Sequence, residues 1–397
     1  MPASTPGFVG ERLREARLVR GLRAVELAEI LDVTPQAVSS YETGRKSPSP
    51  AIADAIAEKL NLPAHFFTRP VEPVSDAAVF YRSMNAATKS ARMRAEGRLR
   101  WLEAIADYLG AVVEIPEVNL PDLDMPANPF ALAGDEIEIV AAAARRHWHM
   151  SDDGPIGNMI YLLENQGVIV ARDHLGAALD SLSSVSTSGR PHVMIGTENG
   201  TAVRWRYDAA HELGHLILHP NVDPRALKRT PDFKTMEDQA HRFAAAFLLP
   251  MASFADDFFS ASLDALRAMK PKWRVSIAMM IRRARDGDLI SEEHYRRLYI
   301  NYSRRRWRGF EPLDDTLPPE EPRLLGSAAE LTLSHGSQSA ADLVTAIALA
   351  PGDIESLCGL PRGSLHQIEK PKLSLRGADS GAAIYSFPSD RRQPNLA

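Results

Sequence analysis

Apolar residues recur at every third or fourth position through residues 8–69, in short runs broken by glycine and proline. This spacing predicts amphipathic helices, because residues three and four apart lie on one helix face. The third run has Thr34 at the position of an N-cap and Pro35 at the first helical position, and Gly44 ends it. Five such pieces in about 60 residues predict one small all-α domain of five helices.

Residues 24–44 have the spacing of a helix-turn-helix. Ala28 allows the two helices to pack closely, Asp32 and Val33 make the turn, and Val38 anchors the second helix. In such motifs the N-terminal part of the second helix enters the major groove, and basic residues near it contact phosphates. The candidates for base edges are Gln36, Ala37, Ser39 and Ser40, and those for phosphates are Arg45, Lys46 and Arg12. A helical module for protein contact is the alternative, since basic and acidic residues nearly balance here.

The remainder of the chain mixes helical and strand patterns. Residues 85–113 predict a long polar helix, and the proline-rich run after it predicts an extended linker that ends near residue 128. Two short runs, 168–173 and 191–197, predict strands among further helices. Little apolar periodicity remains after residue 366, which predicts a disordered tail. The predicted fold class is α+β, mainly helical, with a small sheet.

Composition narrows the class of protein. The 397 residues suffice for two or three domains, and the net charge of −5 means that any nucleic-acid site must be local. The single cysteine, Cys358, excludes a disulfide framework and a cysteine-rich zinc site. The N-terminal stretch lacks the apolar segment of a signal peptide, and no apolar run is long enough to span a membrane. We therefore expect a cytoplasmic protein without a membrane partner.

The run RWRYDAAHELGHLILHP, Arg204 to Pro220, contains a His-Glu-x-x-His motif. On a helix, His211 and His215 lie on one face, one turn apart, and can bind one metal ion. Glu212 lies about 100° further round and can act on a water molecule beside the metal. Gly214 allows another segment to approach, whereas ordinary helix packing would not favour glycine there. The alternative is a buried helix that carries two histidines by chance.

A third ligand must come from elsewhere, because catalytic zinc takes three protein ligands. The next helical run, TMEDQAHRFAAAFLLP, places Glu237 beside its apolar face, and Asp238 and His241 are rivals. Glu237 has another interpretation, as a solvated first-turn residue that the helix dipole favours. We expect His219, at the end of the preceding helix, to be structural or close to substrate rather than a ligand.

These two runs resemble the ImmA/IrrE family of metallopeptidases, which has an H-E-L-G-H helix and a downstream E-x-x-A-x-x-F-A-x-x-L-L-x-P helix. The resemblance implies that His211, His215 and Glu237 bind zinc and that Glu212 is the general base. His241 stands where family members usually carry Asn, so any role of that Asn is altered or absent here.

The run SSYETGRKSPSP resembles the end of an XRE-type recognition helix, and runs such as VFYRSMNAATKS resemble longer family members that join such a domain to the peptidase. The likeness spans about residues 8–365. It implies an XRE-type helix-turn-helix domain at 1–70, a connecting helix and linker at 71–128, a metallopeptidase domain at 129–255, a helical region at 256–365 and a tail at 366–397.

The expected function is a DNA-binding transcriptional regulator with a zinc-dependent endopeptidase domain. The resemblance implies that the peptidase acts on a repressor protein in a derepression or stress response. Expected partners are a double-stranded DNA operator, the protein substrate and a second copy of the chain. Tyr207 and His219 are candidates for stabilising the oxyanion. The alternatives are a non-proteolytic transcription factor that binds a ligand or metal or dimerises through its C-terminal part, and an antitoxin-like or phage-derived binding module.

Overall fold

The computed structural model describes residues 5, 7–71, 79–82, 88–123, 125–126, 128–151, 154–176, 179–198, 200–220, 222–223, 230–335 and 338–366. Within these residues the chain is mainly helical and contains one small sheet, which confirms the predicted fold class. Apart from its first residue, the tail predicted to be disordered lies outside the described residues.

Short helices form the N-terminal domain, as the apolar spacing predicted. They are α1 (Gly10–Val19), α2 (Ala24–Ile30), α3 (Pro35–Glu42), α4 (Pro50–Lys59) and a 3₁₀ turn at Ala64–Thr68. Asp32 adopts a left-handed φ of 52° between α2 and α3, and Thr34 caps α3 by accepting a hydrogen bond from the Ala37 N–H. Val38 is fully buried, so α3 is anchored on one side and keeps its N-terminal part at the surface.

Further helices follow in the order α5 (Lys89–Gly110), α6 (Gly134–His147), α7 (Met159–Asn165), α8 (Ala202–Leu218), α9 (Thr230–Leu248), α10 (Met251–Asp257), α11 (Leu263–Trp273), α12 (Ile277–Asp286), α13 (Glu292–Arg304), α14 (Leu324–His335), α15 (Ala340–Ile347) and α16 (Pro351–Cys358). Helix α5 is the predicted long helix. The described residues of the predicted linker after it have no regular structure before a 3₁₀ turn at Pro129–Ala131. In the part of the chain that is described, no helix combines the length and the apolar character needed to cross a bilayer.

The sheet has four strands in the order β1-β3-β4-β2. They are β1 (Phe80–Arg82), β2 (Ile169–Asp173), β3 (Ser181–Val185) and β4 (Pro191–Gly196). Strands β2 and β4 are parallel and are the two that the sequence predicted. Strand β3 runs antiparallel to β4, and β1 runs antiparallel to β3. Strand β1 comes from the segment between the N-terminal domain and α5.

The two faces of the sheet pack on different cores. Ile169 and Ala171 point into a core shared with the N-terminal domain, α5 and the last three helices. Val170 points into the other core, which holds α7 to α9 and α11 to α13. This alternation follows the two-residue period of a strand. Helix α8 therefore lies against the face of the sheet opposite the N-terminal domain.

Ion pairs join the N-terminal domain to the sheet. Asp353, at the start of α16, accepts hydrogen bonds from Arg20, the residue after α1, at 2.7 Å and from Arg98 of α5 at 2.6 Å. Arg98 also donates to Asp173 at the end of β2. Although burial lowers the pKa of Arg98, the two carboxylates raise it overall, so the guanidinium stays charged. The helix-turn-helix and the sheet are thus connected through polar contacts as well as a common core.

Candidate functional site

Helix α8 holds the His-Glu-x-x-His motif inside the molecule. His211, Glu212 and His215 are at most 1% exposed. Helix α9 passes close to them at Gly214, where a Cβ atom would lie only 3.2 Å from the Ala240 Cα. The segment whose approach Gly214 allows is therefore α9.

Helix α9 brings Glu237 to the two histidines. The Nε2 atoms of His211 and His215 are 3.1 Å apart. Glu237 Oε1 lies 3.1 Å from His215 Nε2, and Glu237 Oε2 lies 3.7 Å from His211 Nε2. Ligand atoms about 2.0–2.1 Å from a tetrahedral zinc ion lie about 3.3–3.4 Å from one another, so the two nitrogens and the Glu237 carboxylate fit such an ion. Of the rival ligands, Asp238 is exposed, and His241 packs its ring against His211 at 4.4 Å instead of joining the cluster.

The environment sets the charge of these ligands. Burial lowers the pKa of His211 well below its ordinary value and keeps the ring in the neutral, ligating form. Burial would raise the pKa of Glu237, but the contacts with His211 and His215 hold it well below its ordinary value. The site therefore presents an ionised carboxylate beside imidazole nitrogens, a donor set found in catalytic zinc sites.

A chain of hydrogen bonds sets the tautomer of His215. Gln239 Nε2 donates to two backbone carbonyls just before α6, so Gln239 Oε1 is the acceptor that faces His219 Nε2, 2.9 Å away. Burial lowers the pKa of His219 to about 3, so this ring is neutral and accepts at Nδ1 from His215 Nδ1, 3.1 Å away. His215 Nε2 then carries a lone pair that faces Glu237. This nitrogen and Glu237 Oε1 lie 3.1 Å apart, a separation that fits two ligands of one metal ion.

Glu212 points from α8 towards strand β3. Ser181 Oγ donates to one of its carboxylate oxygens at 2.6 Å and Ser183 Oγ to the other at 2.5 Å. The two serines alternate with Leu182, so both hydroxyls reach the same face of the strand. Burial raises the pKa of Glu212, which is the change that makes a carboxylate a better base. Our sequence reasoning missed these serines, although their period-two spacing was an available signal.

The N-terminal part of α3 is open to solvent. Among the predicted DNA-contacting residues, Gln36, Ser39, Arg45 and Lys46 are exposed, and Ala37 and Ser40 are partly exposed. The Ser40 hydroxyl donates to the backbone carbonyl of Gln36, one helical turn earlier, and the Gln36 side chain is exposed at the start of the helix. Arg12 instead donates to Glu15 and to the Pro70 carbonyl, so it is engaged within the domain.

Comparison with known families bears on both sites. Residues 13–67 match a helix-turn-helix family, and residues 163–285 match a peptidase family described as the IrrE N-terminal-like domain. The chain joins these two domains. The match confirms the predicted fusion. Helices α8 and α9 lie within the second domain, as does the candidate metal cluster of His211, His215 and Glu237. No curated protein matches the chain.

Strand β1, outside the matched residues, closes the metal cluster of the IrrE N-terminal-like domain. The Phe80 ring stacks on the His215 ring, with centroids 4.7 Å apart and planes 10° apart, and lies 5.9 Å from the His219 ring. Phe80 is itself only 5% exposed. The motif's helix is therefore covered by a residue that lies far away in the sequence.

A cavity of about 540 Å³ reaches the flank of the metal cluster. Tyr207 and His241 form part of its wall, with the Tyr207 hydroxyl 3.0 Å from His241 Nδ1. Other side chains that line it are Arg282, Tyr299, Trp307 and Arg308. No sequence pattern marks this cavity, because its walls come from helices that are distant along the chain.

Proposed function

We propose that the protein is a DNA-binding transcriptional regulator whose IrrE N-terminal-like domain is a zinc-dependent endopeptidase. Its proposed substrate is a repressor protein, and its proposed role is derepression in a stress response. The observation that carries this proposal is the approach of His211, His215 and Glu237 to distances suited to one tetrahedral ion, beside Glu212 on the same helix.

Zinc is the proposed cofactor, and His211, His215 and Glu237 would hold it. When bound, zinc polarises a peptide carbonyl and lowers the pKa of a water molecule towards neutrality. Glu212 takes the proton of the attacking water at a carboxylate oxygen and passes it to the leaving amine. Each Glu212 oxygen that accepts from a serine keeps a second lone pair for this transfer.

Of the two candidates for stabilising the oxyanion, the contacts favour Tyr207. The Nε2–H of His219 is directed at Gln239, whereas the Tyr207 hydroxyl lies beside His241, whose ring touches that of His211. A hydroxyl in that position can donate to the developing negative charge on the substrate oxygen.

Helix α3 is the proposed DNA reader. Gln36 can pair with an adenine edge in the major groove, and Arg45 and Lys46 would contact phosphates. Two copies of the chain would bind an operator with two half-sites about one helical turn apart.

The test compares wild type with Glu212→Gln and His215→Ala. Wild type and Glu212→Gln should each bind about one zinc ion per chain, and His215→Ala should bind much less, since three ligands are needed. N-terminal proteomics of cells expressing each form should reveal a new protein N-terminus with wild type alone. Cleavage by Glu212→Gln at the wild-type rate would refute the proposed mechanism.

A non-proteolytic regulator with a ligand-binding domain is the second candidate. It is favoured by the engagement of both Glu212 oxygens and by the cavity beside His241. It predicts that Glu212→Gln regulates its target promoter like wild type, whereas Ala278→Phe, which fills the cavity, does not. Loss of regulation in Glu212→Gln with normal zinc content would favour the peptidase instead.

A further inference from the structure

We propose that strand β1 is a built-in inhibitor of the metal site. It occupies the sheet edge where an extended substrate segment would pair, and it places Phe80 where an aromatic side chain of the substrate would lie. The site is then latent until an extended segment with an aromatic residue displaces β1. This inference rests on the proposed peptidase function.

Strand β1 covers an edge that leads directly to Glu212. Strand β3 pairs with β4 on one side and with β1 on the other, so without β1 it would present unpaired N–H and C=O groups. An extended peptide adds to such an edge through main-chain hydrogen bonds. Ser181 and Ser183, which hold Glu212, are the β3 residues opposite Arg82 and Phe80. A peptide on this edge therefore runs alongside the proposed general base.

The Phe80 side chain fills an apolar site next to the metal ligands. Its ring stacks on His215 on one side and belongs to a buried cluster with Val222, Phe233 and Met236. Phe80 and Ser183 are directly opposite in the ladder, so Phe80 lies on the sheet face that α8 covers. An aromatic residue in a competing segment, in the same register, would find the same apolar site.

Strand β1 is held by few main-chain hydrogen bonds, as expected of a segment that another strand can replace. It pairs over only three residues and on one side, whereas β4 is six residues long and pairs on both sides. A short edge strand has fewer ladder hydrogen bonds to lose, so a longer extended segment can replace it. With β1 in place, His211, Glu212 and His215 are all buried, and a protein substrate has no access to them from this side.

Two variants remove the two contacts separately. Phe80→Ala removes the ring and leaves the strand, whereas Tyr81→Pro, opposite Leu182, removes a backbone N–H from the middle of β1. Phe259→Ala is the matched control, because Phe259 is 75% exposed. Circular dichroism checks that each variant is folded.

A reversible crosslink gives the opposite perturbation. Tyr81→Cys with Leu182→Cys places two cysteines opposite each other in the ladder, a separation that a disulfide can span. Leu182 points into the core on the far side of the sheet from Glu212, so the crosslink leaves the metal face intact. The native Cys358 is buried, and the same sample reduced with a phosphine is its own control.

The first readout is the rate at which a coloured chelator removes zinc from the full-length protein. Phe80→Ala and Tyr81→Pro should release zinc at least about tenfold faster than wild type, because a buried aromatic ring shifts a docking equilibrium by about ten- to a hundredfold. The oxidised crosslinked variant should release zinc no faster than wild type, and reduction should raise its rate. Equal rates in all forms would overturn the inference, whatever the enzyme does.

The second readout is cleavage of the substrate found by proteomics. The two open variants should cleave it faster than wild type, and a peptide of residues 79–83, VFYRS, should inhibit Tyr81→Pro more strongly than VAYRS. Cleavage that is equal in all forms would overturn the inhibitory role of β1 and leave the peptidase proposal standing. No cleavage by variants that release zinc quickly would overturn the peptidase proposal and the inhibitory role together.

Discussion

The hydrogen bonds behind His215 give a prediction that does not depend on catalysis. Gln239→Met and His219→Phe each remove one link of the chain that runs from Gln239 through His219 to His215, and each keeps an apolar side chain in the space. Both residues are buried, so water does not readily replace the lost partner. We expect both variants to bind zinc more weakly while all three ligands remain.

The expected loss of zinc affinity follows from the atom that loses its hydrogen-bond partner in each variant. In Gln239→Met the His219 Nε2–H has no acceptor, at a cost of about 1–3 kcal/mol, which moving the proton to Nδ1 relieves. That proton then opposes the proton on His215 Nδ1, so His215 is driven to the tautomer that cannot bind a metal at Nε2. Loss of such an outer partner lowers metal affinity by about 10–100-fold, or about 1.4–2.7 kcal/mol.

The assay is competition for zinc with an indicator of known affinity, on wild type, both single variants and the double variant. Gln166→Met, at a partly exposed position, is the matched control and should bind zinc like wild type. Because the two substitutions break one chain, the double variant should lose little more affinity than the weaker-binding single variant. Additive losses, or single variants within about twofold of wild type, would refute the tautomer argument.

Three further predictions test other parts of the structure. Gly214→Ala should weaken zinc binding and lower the melting temperature, because the new Cβ atom would press on α9 at 3.2 Å from the Ala240 Cα. Calorimetry with and without zinc measures both effects. A melting profile identical to that of wild type would contradict the close approach of the two helices. Burial lowers the pKa of His192 to about 4, so between pH 6.5 and 4 only the unfolded chain binds this proton. His192 alone should therefore lower the free energy of unfolding by about 1.4 kcal/mol per pH unit as the pH drops. Denaturant titrations from pH 7.5 to 5 measure this loss, which should be smaller in His192→Asn than in wild type. An equal loss in the two proteins would contradict the assignment of the effect to His192. Gln36→Ala should reduce the preference for one base pair of the operator by about 1–3 kcal/mol, whereas Arg45→Ala should weaken binding to all DNA and reduce its salt dependence. Mobility-shift assays on a series of operator variants measure both effects. The reverse pattern would contradict the roles assigned to the two residues.

The sequence contained enough local information for the elements whose signals lie within one turn or one strand. The cap at Thr34, the buried Val38 and the spacing of His211 and His215 all follow from helix periodicity, and the structure shows each in the expected place. Residue patterns alone left Glu237, Asp238 and His241 as candidates for the third ligand. The structure selects Glu237, because the close packing of α9 at Gly214 brings it to the two histidines.

The features that sequence reasoning missed depend on contacts between distant segments. Strand β1 is three residues long, too short for a period to be visible, and it exists because β3 offers it an edge. Strand β3 has the composition of a polar loop, and the partner that satisfies the buried Ser181 and Ser183 hydroxyls is the Glu212 carboxylate on another element. Hydrophobic patterning has no means of predicting a strand whose inward residues are polar.

The connection between the two domains bears on how the metal site could be controlled. Arg20 and Arg98 share Asp353, and Arg98 also holds Asp173 at the end of β2. Separating the helix-turn-helix from the sheet would break the pair of Arg20 with Asp353 and would expose the apolar core that the two parts share. Exposing that core costs about 1.5–3 kcal/mol for each large apolar side chain, which makes whole-domain separation an expensive way to open the site. Displacing the three-residue β1 costs one short ladder and one apolar contact instead. Control of access through β1 is therefore the less costly route, and it leaves the DNA-reading helix in place while the site opens.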